Sequence, residues 1–262
     1  MTNIATDGHG KEEGAKGCSG CRSGEPMDFA FDYAFQPIVD MDDRSIYAHE
    51  ALVRGPNGEG AMSVLSQVNE ANRYRFDQAC RIKAITMAAR LGIRERISIN
   101  FLPNAVYKPE VCIRSTLEAA RMHHVSLDRI IFEVTEGERV QDGPWFTTIL
   151  REYQRCGFLT AIDDFGAGYA GLTLLADFTP DLIKLDMALV RNIEQSHSRQ
   201  AIVRGLLHTC RDMGVMVIAE GIESTGERDF LYEAGVRLMQ GYLFGRPAFR
   251  AAGTIDAAAW DK

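Results

Sequence analysis

Short apolar segments alternate with longer amphipathic ones along most of the chain. Each short segment is rich in β-branched or aromatic residues and is bounded by polar or glycine-containing turns, which is typical of β-strands. The strands predicted in this way are "YAFQPIV", "SIYAHEALVR", "RISINF", "RIIFEVT", "FLTAIDD", "DLIKLD", "VMVIAE" and "LMQGYLF".

Most of these strands are separated by stretches with the periodicity of a helix. Pro144 stands near the start of one stretch, and Gly92, Gly157 and Gly214 follow the ends of all three, as expected for helix termini. The predicted helices are "FDQACRIKAITMAARLG", "PWFTTILREYQRCG" and "SRQAIVRGLLHTCRDMG".

About eight strands that alternate with helices predict an α/β fold, and more specifically a (β/α)8 TIM-like barrel, over residues 28–262. The beginning of the barrel departs from strict alternation, because only the turn-like "DMDDRS" separates the first two strands. A connection this short favours antiparallel neighbours. We therefore expect a modified barrel with an antiparallel first strand.

Residues 1–27 have a different composition, rich in glycine, serine and charge, and predict a disordered leader. The leader contains a C-x-x-C motif formed by Cys18 and Cys21, with His9 nearby. A tetrahedral zinc site needs about four ligands, and no second close pair of cysteines accompanies this one. A flexible leader is the favoured interpretation, and a metal or redox function of the motif is the alternative.

The overall charge limits the class of partner. A net charge of −7 and a pI near 5.4 argue against a broad surface for a nucleic acid polymer. The chain shows neither an apolar run long enough to span a membrane nor a signal peptide, so we expect a cytoplasmic protein. The scattered cysteines predict reduced thiols in the core rather than a disulfide framework: Cys80, Cys112, Cys156 and Cys210.

Almost every predicted strand carries a polar residue at or near one end. Taken singly, such a residue is usually a strand terminator or a helix cap, and the adjacent Asp163 and Asp164 fit a solvated turn. The carboxyl ends of barrel strands meet around one mouth, however, and carboxylates gathered there need positive charge. Such a cluster is typical of sites for Mg²⁺, Mn²⁺ or Ca²⁺. The residues are Glu50, Asn100, Glu133, Asp163, Asp164, Lys184, Asp186, Glu220 and Gln240.

The position of these residues within a series of motifs resembles the EAL-domain family of cyclic di-GMP phosphodiesterases. The resemblance covers about residues 30–250, and a series of ordered motifs is more specific than any single tripeptide. The motifs are "FQPIV", "EALVRG", "IN", "FEVTE", "IDDFGAG", "IKLD", "AEGIES" and "QGYLFGRP".

The resemblance implies a modified (β/α)8 barrel that hydrolyses cyclic di-GMP to linear pGpG with two Mg²⁺ or Mn²⁺ ions, and that Ca²⁺ typically inhibits. Asp163 would bridge the two ions, in keeping with the general chemistry of two-metal phosphodiester cleavage. By motif position, the ligands would be Glu50, Asn100, Glu133, Asp163, Asp164 and Glu220.

The resemblance also implies roles next to the metals. Glu50, Lys184 and Glu220 are expected to be catalytic, with Lys184 as a fixed positive charge beside the water or phosphate. Glu220 and a metal-bound hydroxide both fit the role of general base, and the sequence leaves the two open. Substrate-side roles are expected of Gln36, Arg54, Asp186 and Gln240, and Arg54 shares a strand face with Glu50 by even spacing. His49 lies on the opposite face and is given no catalytic role.

The loop after the paired aspartates departs from the family pattern. Family members commonly have DFGTG followed by an aromatic residue and two serines, whereas this chain has "DFGAGYAG". The departing residues are Ala167, Ala170 and Gly171, none of which is an expected metal ligand. Glu136 resembles the family glutamate that steadies this loop. A second departure is Arg237, where family members often have an acidic residue.

The sequence leaves two other functions open. A catalytically weak or inactive receptor for cyclic di-GMP, or a protein-interaction module, would keep the fold without turnover. A barrel with the same metals could also act on another phosphodiester, because a fold does not specify a substrate. The resemblance further implies a homodimer, and a regulatory protein partner is expected as one means of control.

Overall fold

A computed structural model describes residues 27–135, 143–168 and 171–261. The predicted leader lies almost entirely outside these residues, as do Glu136 and Ala170. No helix in the described part of the chain is both long and apolar enough to cross a membrane. The described cysteines form no disulfide; Cys80, Cys112 and Cys210 are buried and Cys156 is half-buried.

Eight strands close into a barrel and a ninth extends it. The first strand is antiparallel to both of its barrel neighbours, whereas the second to eighth strands run parallel to one another. The predicted modified TIM-like barrel is thus confirmed. The strands are β1 (Asp32–Asp40), β2 (Ser45–Arg54), β3 (Arg96–Asn100), β4 (Ile130–Thr135), β5 (Leu159–Phe165), β6 (Leu182–Leu185), β7 (Met216–Ala219), β8 (Leu238–Gln240) and β9 (Ala248–Phe249).

Helices follow most of the parallel strands and surround the barrel. All three predicted helices are present within a few residues of their expected ends. The α-helices are α1 (Met62–Leu65), α2 (Arg73–Arg90), α3 (Pro109–Cys112), α4 (Arg114–Met122), α5 (Gly143–Cys156), α6 (Gly171–Asp177), α7 (Met187–Val190), α8 (His197–Met213) and α9 (Thr225–Ala234). Short 3₁₀ turns occur at Pro103–Ala105, Leu127–Arg129, Ile193–Gln195 and Ala257–Trp260.

Local sequence explains several helix ends. Ser224 and Glu227 form a reciprocal capping box at the start of α9, and Gly214 ends α8 in the left-handed conformation with φ of 72°. These local hydrogen bonds fix where the chain leaves each helix and enters the next strand.

The last predicted strand proved too long. We expected "LMQGYLF" to be extended throughout, but β8 ends at Gln240 and the chain turns at Gly241. The amide groups of Phe244 and Gly245 both donate to the carbonyl of Gly241, at 3.1 Å. The apolar residues after Gly241 suggested a strand, but only Phe244 among them is fully buried, and its side chain packs in the core between the barrel and the later helices.

The interior of the barrel is closed by a layer of apolar side chains. These residues point inwards because successive side chains of a strand alternate between its two faces. The other face of each strand packs against the helices in two larger clusters. The interior residues are Ile38, Ala48, Ile131, Ala161, Leu182, Ile218 and Leu238.

Candidate active site at the carboxyl ends of the strands

Polar side chains form the next layer of the barrel interior. In six strands, a polar residue follows the interior apolar residue after two positions, so it points inwards but lies nearer the mouth. The strand β1 runs in the opposite direction, so there Gln36 precedes Ile38 and pairs with Glu50. The six pairs are Ala48 with Glu50, Ile131 with Glu133, Ala161 with Asp163, Leu182 with Lys184, Ile218 with Glu220, and Leu238 with Gln240.

Lys184 lies at the centre of this layer and is 1% exposed. Its Nζ is 2.6 Å from Glu220, 3.0 Å from Glu133, 3.1 Å from Asp163 and 3.4 Å from Glu50. Burial by itself lowers the pKa of Lys184, but the four carboxylates outweigh it and raise the pKa well above its ordinary value. One ammonium therefore serves as counter-ion to four acidic side chains.

The carboxylates form two groups that share Asp163. Oxygen atoms of Glu50, Glu133 and Asp163 lie within 4.8 Å of one another, and so do oxygen atoms of Asp163, Asp164 and Glu220. The carboxylates among the sequence-predicted ligands are thus brought together, and Asp163 belongs to both groups. Oxygen donors of this kind suit hard divalent cations.

Glu133 is the most deeply buried of the acidic residues. It is 0% exposed, and burial raises its pKa well above the ordinary value, with Lys184 opposing this effect and Glu50 adding to it. The Ser98 hydroxyl donates to Glu133 Oε1. Sequence reasoning missed Ser98, although its position two residues before Asn100 gives it the same strand face.

Asn100 joins two carboxylates in this structure. Its Nδ2 donates to Glu50 Oε1 at 3.1 Å and to Glu133 Oε2 at 3.5 Å. A cation would be bound by the amide oxygen instead, so ligation requires the amide to rotate.

Asp164 owes its position to a local irregularity of β5. Its φ is 53°, and the pairing of β5 with β6 shifts register between Ile162 and Phe165. Such irregularities redirect side chains at the ends of strands. Partial burial, followed by the charges of Asp163 and Asp186, raises the pKa of Asp164. The irregularity places two consecutive aspartates at one site, which the alternation of a regular strand forbids.

Glu220 directly follows the end of β7. Its side chain is 18% exposed, whereas that of Glu133 is fully buried. Burial is the main cause that raises the pKa of Glu220 to about 8; Lys184 opposes it, and Asp163 adds to it. The cluster sets five carboxylates against the ammonium of Lys184, so it is short of positive charge, which divalent cations would supply. The residues present therefore fit a metal centre.

Gln36 and Gln240 both lie beside Glu50. Gln240 Nε2 donates to Glu50 Oε2 at 2.8 Å, and Gln36 Nε2 donates to the carbonyl of Gly245 at 3.1 Å. Both line a cavity of about 200 Å³ together with Glu50 and Tyr242. Tyr242 was not singled out from the sequence; its ring is 49% exposed.

The two remaining sequence-predicted residues, Arg54 and Asp186, make other contacts. Arg54 donates to the carbonyl of Val53 and lines a neighbouring cavity of about 460 Å³, which also reaches Asn100. Asp186 caps the short helix α7 by accepting from the amide of Ala188 at 2.8 Å. Asp186 thus caps a helix, as polar residues at strand ends often do.

Comparison with known proteins agrees with this geometry. The model of the EAL domain family matches residues 28–247. The chain belongs to the EAL domain family. It is 32% identical to the blue light- and temperature-regulated antirepressor BluF and 32% identical to the cyclic di-GMP phosphodiesterase PdeF, both of Escherichia coli (strain K12).

These matches cover 87% and 81% of this EAL domain chain but only 56% of BluF and 29% of PdeF. The chain thus spans little more than half, or less, of the length of these curated relatives.

Two solved EAL structures are also similar. A standalone EAL protein of Vibrio cholerae O395 in its c-di-GMP-bound form is 50% identical, with a TM-score of 0.87 over 90% of this chain and 100% of that one. Klebsiella pneumoniae BlrP1 in complex with manganese and cyclic di-GMP is 36% identical, with a TM-score of 0.81 over 86% of this chain and 58% of that one.

The two departures of this EAL domain from the family pattern lie in different places. Ala167 follows the paired aspartates, and its amide donates to the carbonyl of Asp164 at 3.0 Å. Arg237 precedes β8 and therefore lies at the opposite end of the barrel, where its Nε is 3.0 Å from Asp42. Arg237 is thus removed from the carboxylate cluster.

Proposed function

We propose that this EAL domain hydrolyses one phosphodiester bond of cyclic di-GMP to give linear pGpG, with two Mg²⁺ or Mn²⁺ ions. The observation that carries the proposal is the complete oxygen donor set, arranged as two groups that share Asp163. A receptor that only binds the dinucleotide has no need of this costly cluster of buried charges. The relatives named as phosphodiesterases and the cyclic di-GMP complexes of similar structures support the same substrate.

The proposed ligands divide between the two groups. Glu50, Asn100 and Glu133 would hold one ion, Asp164 and Glu220 the other, and Asp163 both. When bound, two such ions supply charge to the phosphoryl oxygens and make a water more acidic. Ca²⁺ prefers longer bonds and more ligands, so we expect it to bind and inhibit.

The protein's own residues account for the remaining requirements of the reaction. The oxygen of water forms a bond to phosphorus, the bond between phosphorus and the 3′ oxygen breaks, and that oxygen receives a proton. Lys184 offers a fixed positive charge beside the phosphoryl group, because its ammonium is held by four carboxylates. We assign Glu220 to accept the proton of water, because its side chain, at 18%, is the most exposed of the four carboxylates that contact Lys184.

Substrate contacts are proposed around the metal ligands. Gln36 and Gln240 line the cavity beside Glu50, and Arg54 lies on the same face of β2 as Glu50, where its guanidinium suits a phosphate. Asp186 is proposed to face a guanine in addition to capping its helix. A homodimer and a regulatory protein partner complete the proposal, and light scattering of the purified chain tests the dimer.

The decisive experiment is hydrolysis of cyclic di-GMP by the purified protein with Mg²⁺ or Mn²⁺, with the product identified by mass spectrometry. We expect pGpG, no turnover in EDTA, and a loss of at least about 100-fold in the Glu50→Ala variant, because a metal ligand is removed. Lys108→Met, a substitution at an exposed position, is the control and should keep full turnover. Turnover that survives Glu50→Ala would refute the metal assignment.

The second candidate function is a cyclic di-GMP receptor or protein-interaction module without turnover. The similarity to BluF, whose name describes an antirepressor, favours keeping this candidate. Tight binding of cyclic di-GMP with no product in Mn²⁺ would establish the receptor and refute the enzyme.

A further inference from the structure

A buried guanidinium lies on the outer face of the barrel, behind the predicted metal ligands. Arg81 of α2 is 0% exposed. Its Cζ lies 5.2 Å from the ring centre of Phe101, 5.1 Å from that of Phe132 and 5.3 Å from that of Tyr153. Its Nη1 donates to the Tyr153 hydroxyl at 2.6 Å. Three rings and one hydroxyl thus hold the orientation of this side chain.

Asp77, one helical turn earlier, links Arg81 to the end of β3. It is 1% exposed, and its Oδ2 lies 2.7 Å from Arg81 Nη2. Its Oδ1 accepts from the backbone amide of Leu102 at 2.9 Å. The chain just beyond Asn100 is therefore tied to α2 by a charged acceptor.

The same network contacts the residues next to two proposed metal ligands. Phe101 follows Asn100 and Phe132 precedes Glu133, so each ring points away from the mouth while its neighbour points into it. The rings of Phe101 and Phe132 meet edge to face at 5.8 Å, and the amide of Phe101 donates to the carbonyl of Glu133 at 3.1 Å. A shift of the backbone at either ring would therefore also shift the proposed metal ligand next to it.

Stability alone does not explain a charged pair at this place. Apolar residues of similar volume are often as stabilising as a buried ion pair, or more so, because they carry no desolvation penalty. In the described part of the chain, Arg81 Nε has no hydrogen-bond partner, which adds to that penalty. A directional network, unlike an apolar contact, specifies one arrangement of the strands that it joins.

We propose that Asp77 and Arg81 are positioning residues of the metal centre, which fix the ends of β3 and β4 so that Asn100 and Glu133 meet the same cation. The inference rests on the proposed function in that the cluster binds divalent cations. Residues that orient metal ligands without touching the metal affect its affinity by about 10–100-fold.

The test makes two measurements on the metal-stripped full chain. Electron paramagnetic resonance measures the affinity for Mn²⁺, and urea unfolding in EDTA measures stability. The main variant is Asp77→Leu combined with Arg81→Met, which replaces the pair with apolar groups. The double variant leaves the amide of Leu102 without its acceptor, so we expect a modest loss of stability, Mn²⁺ affinity weaker by about tenfold or more, and turnover that recovers at high Mn²⁺. Leu231→Ala, a core truncation in the other helix-facing cluster, is the control that lowers stability but keeps Mn²⁺ affinity.

Unchanged Mn²⁺ affinity in the double variant would overturn the inference and leave the pair with a structural role. If the double variant does not fold, Tyr153→Phe decides instead, because it removes only the hydroxyl that holds Arg81. We expect weaker Mn²⁺ binding there with little change in stability, and unchanged binding would overturn the inference. A wild type that binds Mn²⁺ but does not turn over cyclic di-GMP refutes only the proposed function, whereas a wild type that binds no Mn²⁺ refutes both.

Discussion

Lys184 is the residue on which the charge balance of the site depends. It compensates four carboxylates, of which Glu133 is fully buried. Removal of one partner from a buried network of charges is costly because the others are left without compensation. The lysine therefore has a structural role in the metal-free protein, in addition to any role in catalysis.

We expect Lys184→Met to lower the free energy of unfolding of the metal-free protein by about 3–5 kcal/mol. Urea unfolding in EDTA measures this loss, and Mn²⁺ should restore part of it by supplying positive charge. The exposed control Lys108→Met should change stability by less than about 0.5 kcal/mol. A loss for Lys184→Met no larger than the control's would contradict this account of the cluster.

A second prediction at the residue scale concerns the thiols. Burial raises the pKa of Cys80 to about 12, with a smaller opposing effect of the Tyr33 hydroxyl. Because the thiolate is the reactive form, Cys80 should resist alkylation at pH 8 in the folded protein. Iodoacetamide labelling with peptide mass spectrometry should show Cys80 labelled only in urea, and the half-buried Cys156 labelled before the other three cysteines that the structure describes. Equal labelling rates of Cys80 and Cys156 in the folded protein would contradict the prediction.

At the scale of elements, the site depends on where each strand ends. The strand β8 must stop directly after Gln240, because the chain at Gly241 passes against the backbone of Ile222. The amide of Ile222 donates to the carbonyl of Gln240 at 3.1 Å, which joins the segment after Glu220 to the end of β8. A side chain at Gly241 would separate these two segments.

Gly241→Ala should therefore be destabilising. A Cβ at this position would lie 2.0 Å from the carbonyl oxygen of Ile222, and overpacking against fixed groups costs about 1–3 kcal/mol or more. Gly205→Ala is the matched control, because a Cβ there meets nothing within 4 Å and the site is in the middle of α8. That substitution should stabilise the protein by about 0.5–1 kcal/mol. Urea unfolding measures both, and effects of the same sign would contradict the argument.

At the scale of the whole molecule, the metal centre joins strands from all parts of the chain. Its proposed ligands come from β2, β3, β4, β5 and the end of β7, so the site exists only when the barrel is closed. A cation that binds only the folded state shifts the folding equilibrium towards it. Metal binding and global stability are thus expected to be linked.

Mn²⁺ at about 100 times its dissociation constant should stabilise the fold by about 2.7 kcal/mol. For a chain of this size, that corresponds to a rise in Tm of about 5–10 °C, measured by differential scanning calorimetry and reversed by EDTA. Asp163→Asn removes the negative charge of the side chain shared by both groups, so the rise in Tm should be much smaller in that variant. An equal rise would place the bound ions elsewhere.

Much of this molecule was predictable from sequence because the same local alternation of side chains applies to each strand that contributes to the site. Alternation along a strand places Glu133 and Ile131, or Lys184 and Leu182, on the same face whatever the rest of the chain does. The ends of the strands are likewise marked by polar residues and turns. The barrel, its antiparallel first strand and the convergence of carboxylates at its mouth follow from these local patterns.

The tertiary structure decided what depends on register between strands that are distant in sequence. It placed Lys184 among four carboxylates, turned Asp164 towards Asp163 through an irregular β5, and set Arg81 behind Asn100. It also placed Arg54 in the lining of a neighbouring cavity. The sequence by itself determines which residues face the barrel interior, because alternation is local; which of them meet is decided only when closure of the barrel sets the stagger of its strands.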